Sequence, residues 1–317
     1  MANIRRVFLG GNTAEGFYSL HDNIIDINRN MLYIIKGMPG GGKSSMMKEI
    51  GKRALDNGNS IDGVVIEELG IAIVDGTLPH AVEPVYPGLI DKIIDLGQYI
   101  ERDQLELYKE EIMKAKKRNK SAYRRAFNFF KASKAIYDEI ENTNKLNVDF
   151  EKTNNLTLNY IDRIFNEEVV LNDFVGFKER HLFSEAYTPE GYIDYTPSLL
   201  DGRKIRYYLK GNIGTGKTTF LKRIIEEAKI RNYHVEVYHN PLIPSKLDSV
   251  LIIELDTIIS TSTETKKYIH TVIDLDEFFN EENLNNEDFI LFQSLVDKGI
   301  DALEGATENH LALENIY

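Results

Sequence analysis

The sequence contains no cysteine. That excludes a disulfide framework, a thiolate zinc site and a cysteine nucleophile. Positive charge is also in short supply. Lys and Arg number 38 against 50 Asp and Glu, for a formal net charge of −12. Such a balance argues against a surface that tracks nucleic acid along its whole length, while leaving room for a local basic patch. No apolar stretch approaches the ~20 residues of a membrane helix. The opening has Arg5 and Arg6, followed by an apolar run too short for a signal peptide. The expectation is a soluble, cytoplasmic protein with no membrane partner. The length of 317 residues and an apolar fraction of 42% suffice for two ordinary domains, each with its own core.

What is present is a pattern that occurs twice. Phe8-Leu-Gly-Gly-Asn-Thr13-Ala-Glu15-Gly16-Phe17 reads like Phe183-Ser-Glu-Ala-Tyr-Thr188-Pro-Glu190-Gly191-Tyr192. A strand-like run and a glycine-rich loop follow each, Met31–Lys36 in the first half and Ile205–Lys210 in the second. Further on, Val64-Val-Ile-Glu67 matches Leu251-Ile-Ile-Glu254, and Ile94-Asp-Leu96 matches Ile273-Asp-Leu275. The same pieces in the same order predict two related domains, 1–172 and 173–317. Between loop and acidic strand end, the second half holds an extra segment with the strand candidate His234-Val-Glu-Val-Tyr238. The first half has only the polar turn Asp56-Asn-Gly-Asn-Ser60 there. Two explanations stay open, a lost strand or residues omitted from the chain. Apolar residues at helical spacing (Leu105, Tyr108, Ile112; Phe127, Phe130, Tyr137, Ile140; Tyr160, Ile164) predict a long charged helical hairpin over about 100–168. The second half has a shorter helical counterpart from about Asp288, and its abrupt end at Tyr317 suggests truncation or a disordered tail.

Each glycine loop fits the P-loop pattern at every fixed position. The first is Gly37-Met-Pro39-Gly40-Gly41-Gly42-Lys43-Ser44-Ser45, the second Gly211-Asn-Ile-Gly214-Thr215-Gly216-Lys217-Thr218-Thr219. Such a loop wraps phosphate with inward-pointing backbone N–H groups, which side chains at the glycine positions would obstruct. The next helix adds its positive N-terminal end. Lys43 and Lys217 are expected to bridge β- and γ-phosphate oxygens, and the Ser44 and Thr218 hydroxyls to ligate Mg²⁺. An amphipathic helix follows each loop, with Met47, Ile50 and Ala54 on one face and Leu221, Ile224 and Ala228 at the matching places.

The acid that holds Mg²⁺ through water is expected at Asp75, closing Ile71-Ala-Ile-Val-Asp75. Glu67 is its rival. The second half has Ser260-Thr-Ser at the place of Asp75, with Glu254 and Asp256 as possible substitutes, so its site is expected to hydrolyse poorly. Other candidates have two readings each. Phe17 and Tyr192 either stack on a base or belong to a shared turn. Arg5, Arg6 and Arg180 are either arginine fingers or solvent-facing. His80 either orients water or is incidental. The run from Lys114 to Arg125, followed by Phe127, Phe129 and Phe130, is either a single-stranded nucleic-acid contact, a kinase lid, or a solvated helix face.

With both loops, Asp62-Gly-Val-Val-Ile66 and Ile73-Val-Asp-Gly-Thr-Leu-Pro-His80 in view, most of the chain resembles a family of tandem P-loop ATPases from spore-forming Gram-positive bacteria, described as predicted ATPases or nucleotide kinase-like proteins. Members have a strand after the first P-loop helix, which this sequence lacks. The expected fold is α/β, two P-loop NTPase domains from an internal duplication with a long helical hairpin insertion. The expected function is a Mg²⁺-dependent ATPase that couples hydrolysis to conformational change, with catalytic Lys43, Asp75 and Lys217. The alternatives are a kinase acting on a nucleotide or other small acceptor, and a nucleotide-gated binding module with little turnover.

Overall fold

The computed structural model describes residues 4–26, 28–54, 62–77, 82–100, 102–166, 178–268, 271–281, 286–314 and 316. It is a mixed α/β structure with parallel strands in both larger sheets. The chain divides into two compact units. One holds residues 1–18, 127–188 and 192–300; the other holds 19–126, 189–191 and 301–317. The division does not coincide with the boundary at 172 expected from the repeat. Among the described residues no helix is long and apolar enough to cross a membrane.

The strands are β1 (Gly10–Thr13), β2 (Gly16–Ser19), β3 (Met31–Lys36), β4 (Gly63–Ile66), β5 (Ile71–Asp75), β6 (Asp91–Asp95), β7 (Glu179–Leu182), β8 (Glu185–Thr188), β9 (Gly191–Asp194), β10 (Ile205–Lys210), β11 (Val235–His239), β12 (Leu247–Ile252), β13 (Thr257–Ser260) and β14 (Thr271–Asp274). The helices are α1 (Lys43–Ala54), α2 (Arg102–Leu107), α3 (Lys109–Lys145), α4 (Phe150–Ile164), α5 (Thr196–Leu200), α6 (Lys217–Ile230) and α7 (Asn286–Glu314). The span 100–168, expected to be a helical hairpin, holds the helices α2, α3 and α4. Asp149 turns the chain between α3 and α4, its carboxylate accepting from Lys152 N at 3.1 Å as the N-cap of α4.

In the smaller unit the sheet order is β4-β5-β3-β6. Strands β5 and β6 flank β3 in parallel, and β4 is antiparallel to β5. The near-continuous apolar runs of β3 and β5 suit strands covered on both faces. Ile35, Met47, Val64 and Ile73 form the core between this sheet and α1. In the larger unit the order is β14-β10-β13-β12-β11-β7. Its first four strands repeat the directions of β6-β3-β5-β4. The strand expected around 234–238 is β11, next to β12. Helix α6 packs Phe220, Leu221, Ile224 and Ala228 fully into the core with Val237, Val250 and Ile259. Each large apolar side chain so buried contributes about 1.5–3 kcal/mol. Leu156, Tyr160 and Ile161 of α4 pack on that same cluster.

Register refines the repeat. Tyr33 pairs with Ile73, and Ile73 with Val64. Tyr207 pairs with Ile259, and Ile259 with Val250. Val64 therefore corresponds to Val250, not to Leu251. The match that holds in space is Asp62-Gly-Val-Val-Ile66 with Asp248-Ser-Val-Leu-Ile252. A one-residue slip in a strand exchanges its two faces, so this correction changes which residues face the core. The other match holds without a shift, since Lys36 pairs with Asp95 and Lys210 with Asp274.

Candidate functional site: two glycine loops at the carboxyl edges of parallel strands

Each glycine loop joins the carboxyl end of a central parallel strand to the N-terminus of a helix: β3 to α1 and β10 to α6. Ligands of open α/β sheets bind at this edge. Both loops have the same internal turn, Gly41 N to Met38 O at 3.1 Å and Thr215 N to Asn212 O at 3.4 Å. The Thr215 hydroxyl donates to the same Asn212 carbonyl. Backbone φ is +76° at Gly40, +81° at Gly42, +88° at Gly214 and +104° at Gly216, a region closed to most side chains. The lysines close the loops from within. Lys43 Nζ donates to Gly37 O and Met38 O, both at 2.9 Å. Lys217 Nζ donates to Gly211 O and Asn212 O. Burial pushes the Lys217 amine below its ordinary pKa, against the carboxylates of Asp248 and Asp276.

Around the first loop, Asp75 ends β5 directly beside Ile35 of β3. Its Oδ2 lies 3.8 Å from Lys43 Nζ. Its Oδ1 accepts from Thr77 N at 2.8 Å and from the Thr77 hydroxyl. Register thus brings Asp75 to the lysine and fixes the direction of its carboxylate. Glu67 follows Ile66, which pairs with Ile71 at the start of β5. It lies at the other edge of the sheet, away from the loop.

Around the second loop, the position of Asp75 is occupied by Thr261, immediately after Ser260, the partner of Tyr208. The two proposed substitutes are not at the loop. Asp256 pairs with Arg203 at 2.9 Å, and its carbonyl accepts from Ile205 N at the amino end of β10. Glu254 binds the backbone and ring of His234. Two acids stand at this loop: Asp276, whose Oδ1 accepts from Asn212 N at 2.6 Å, and Asp248, whose charge acts on Lys217 together with that of Asp276. Strand β12 is antiparallel to β13, which puts its first residues at the carboxyl edge. Leu247 N donates to Thr218 Oγ1 at 3.3 Å, and Asp248 accepts from Asn240 Nδ2 at 2.9 Å. Burial lifts the Asp248 carboxyl to about 6, offset by Asn240, Lys217 and Thr261 and reinforced by Asp194. Burial, with Asp248 and Asp194 nearby, also holds Glu185 well above the ordinary carboxylate range. The sequence signal for Asp248 was the Asp-x-Val-x-Ile run it shares with Asp62, hidden by the one-residue misalignment.

The residues present fit a triphosphate and its Mg²⁺ on geometric grounds: glycines at positive φ, a lysine amine held within each loop, and a helix that begins at Lys43 or Lys217, with the Ser44 or Thr218 hydroxyl in its first turn. The loops bring together Gly37, Pro39, Gly40, Gly41, Gly42, Lys43, Ser44 and Ser45 in one unit, and Gly211, Gly214, Thr215, Gly216, Lys217, Thr218 and Thr219 in the other. Among the described residues no group of three or more His, Asp or Glu is arranged to hold a metal by itself.

The remaining candidates have structural places. Arg5 and Arg180 both pair with the buried Glu236, at 2.5 and 3.3 Å, rather than facing solvent. Arg6 lies over the Tyr195 ring. The Thr-x-Glu-Gly elements are hairpin turns joining β1 to β2 and β8 to β9. Thr13 Oγ1 donates to Gly16 O and accepts from Glu15 N. Phe17 packs over Gly10, and Tyr192 against Tyr187. Lys114, Lys116, Lys117, Arg118, Lys120, Arg124 and Arg125 are exposed on α3. Phe130 is fully buried, and Phe127 and Phe129 partly so. His80 lies outside the described residues. Comparison with protein-family models, with curated proteins and with solved structures finds no match.

Proposed function

We propose that the chain binds Mg²⁺-ATP at two P-loops that arose by internal duplication, and that it hydrolyses ATP chiefly at the first. The observation that carries this reading is the pairing of Ile35 with Asp75, which sets a carboxylate 3.8 Å from the lysine of a glycine loop. Lys43 would release the Gly37 and Met38 carbonyls to bridge the β- and γ-phosphates. The Ser44 hydroxyl would ligate Mg²⁺, and Asp75 would hold it through water. Mg²⁺, once bound, supplies charge neutralisation of the phosphates. At the second loop Lys217 and Thr218 take the corresponding roles, with Asp248 as a nearby acid on an antiparallel strand. The repeated order of strands, the matched registers and the matched loop turns support duplication.

The test is product analysis of Mg²⁺-ATP incubated with and without candidate acceptors. Free phosphate formed without an acceptor supports the ATPase. Phosphoryl transfer only when an acceptor is added would make the chain a kinase. Binding without either product would make it a nucleotide-gated module.

A further inference from the structure

In the larger unit the second glycine loop is covered by the carboxyl end of α3. A Cβ on Gly214 would stand 2.9 Å from Glu141 O and 3.1 Å from Asn144 Cβ. The buried Asn144 side chain donates to Ile213 O at 2.8 Å. The same end of α3 holds a lysine from across the loop. Lys246 Nζ pairs with Glu141 Oε1 and lies 5.7 Å from the centre of the Tyr137 ring. Lys145 pairs with the other oxygen of Glu141 at 3.1 Å. Lys246 and Glu141 are both largely withdrawn from solvent, with side chains 20% and 15% exposed. Lys246 directly precedes Leu247, whose N–H bonds the Thr218 hydroxyl. The charges of Lys246 and Glu141 both act on Lys217. Burial alone would raise the Glu141 carboxyl; the bonds from Lys246 and Lys145 outweigh it and hold the group below its ordinary pKa.

A second cation thus belongs to the residue next to the one that bonds Thr218, held by a carboxylate on a helix that also touches the loop tip. A triphosphate arriving there brings several negative charges. It attracts Lys246 and repels Glu141. We propose that Lys246 is a second phosphate-contacting lysine of the Gly211–Thr218 site, which exchanges the Glu141 carboxylate for the terminal phosphate of a nucleoside triphosphate and so loosens the end of α3 from the loop. This rests on the P-loop reading above. It also separates the two sites. By the register match, the position of Lys246 in the first half is Ser60, which lies outside the described residues. A helix end also meets the first loop, where a Cβ on Gly40 would stand 2.9 Å from Glu314 O.

Calorimetry on the full chain with Lys43→Ala, which silences the first loop, tests the proposal with Mg²⁺-ATP and Mg²⁺-ADP as probes. Adding Lys246→Met should weaken ATP binding roughly ten- to hundredfold, the value of a charged hydrogen bond, and leave ADP within about twofold. Adding Glu141→Gln instead should tighten ATP binding and leave ADP unchanged. ATP, but not ADP, should speed hydrogen exchange over residues 141–145. Equal loss of ATP and ADP in Lys246→Met would overturn the proposal, as would no loss of either, provided Lys217→Ala abolishes both. Should Lys246→Met melt early, Glu141→Gln decides, and an unchanged ATP-to-ADP ratio overturns the exchange. If Lys217→Ala alters neither affinity, the P-loop reading fails and takes this one with it.

Discussion

Two glycines of the second loop separate backbone strain from packing. Gly214 and Gly216 both hold positive φ, +88° and +104°. Alanine in that region costs roughly 1–2 kcal/mol at either position. Their surroundings differ. At Gly216 the nearest atoms to an added Cβ are side-chain carbons of Thr153 and Phe150, at 3.8 and 4.0 Å, which is ordinary contact. At Gly214 the added carbon meets the Glu141 carbonyl at 2.9 Å, Asn144 Cβ at 3.1 Å and Lys145 N at 3.4 Å. Helix backbone cannot swing aside, so overpacking adds about 1–3 kcal/mol. Gly216→Ala should therefore lose about 1–2 kcal/mol and Gly214→Ala about 2–5 kcal/mol. Urea denaturation followed by far-ultraviolet circular dichroism and tyrosine fluorescence is the assay, as the chain has 17 Tyr and no Trp. Hydrogen exchange over 141–145 locates the loss. Equal destabilisation by the two variants, with unaltered exchange at the end of α3, would refute the seating of that helix on the loop.

Asp75→Asn should lower ATP turnover by roughly tenfold or more while leaving nucleotide binding within a few-fold, because an Mg²⁺ partner is lost and the phosphate cradle is kept; a wild-type rate, measured by phosphate release, would move hydrolysis to the other loop. Glu236→Ala should destabilise the larger unit by about 3–5 kcal/mol, since it removes the buried carboxylate that pairs with Arg5 and Arg180 and accepts from the Tyr238 hydroxyl at 2.7 Å; a urea midpoint that does not move would contradict this. The buried pair Arg29–Asp91, at 2.6 Å, predicts an acid sensitivity of the smaller unit. Burial would raise the Asp91 carboxyl, but bonds from Tyr86 N, Arg29 and Val85 N outweigh it and lower the pKa. A carboxyl lowered by folding stabilises the protein above its unfolded value of about 3.9 and loses that contribution as pH falls through the folded value. Asp91→Asn should therefore be less stable at pH 7, and the gap to wild type should shrink below about pH 4; a gap independent of pH would exclude this source.

The local features of both loops were legible because strand, glycine loop and helix are consecutive in the chain. Asp248, one of the acids at the second loop, was not. Asp248 sits on an antiparallel strand, so it comes to the carboxyl edge at the strand's beginning, where a search for an acid after an apolar run does not look. Glu254 and Asp256 have the expected position in sequence but belong to a turn at the opposite edge. Arg5 and Arg180 resembled surface residues because Glu236, on β11, is distant in sequence from Arg5 and reaches both only through tertiary packing. The helical period of 109–145 was plain, whereas nothing in it marked the last turn as the cover of a glycine loop. That contact follows from the missing side chain of Gly214, which the sequence explains equally well as phosphate clearance.

The central claim is that each glycine loop binds a nucleoside triphosphate through its own lysine. Calorimetric titration of Mg²⁺-ATP into the wild-type chain, Lys43→Ala and Lys217→Ala tests it most directly. The wild type is expected to show two binding events, and each variant to lose a different one. Two events of unchanged affinity in both variants would contradict it.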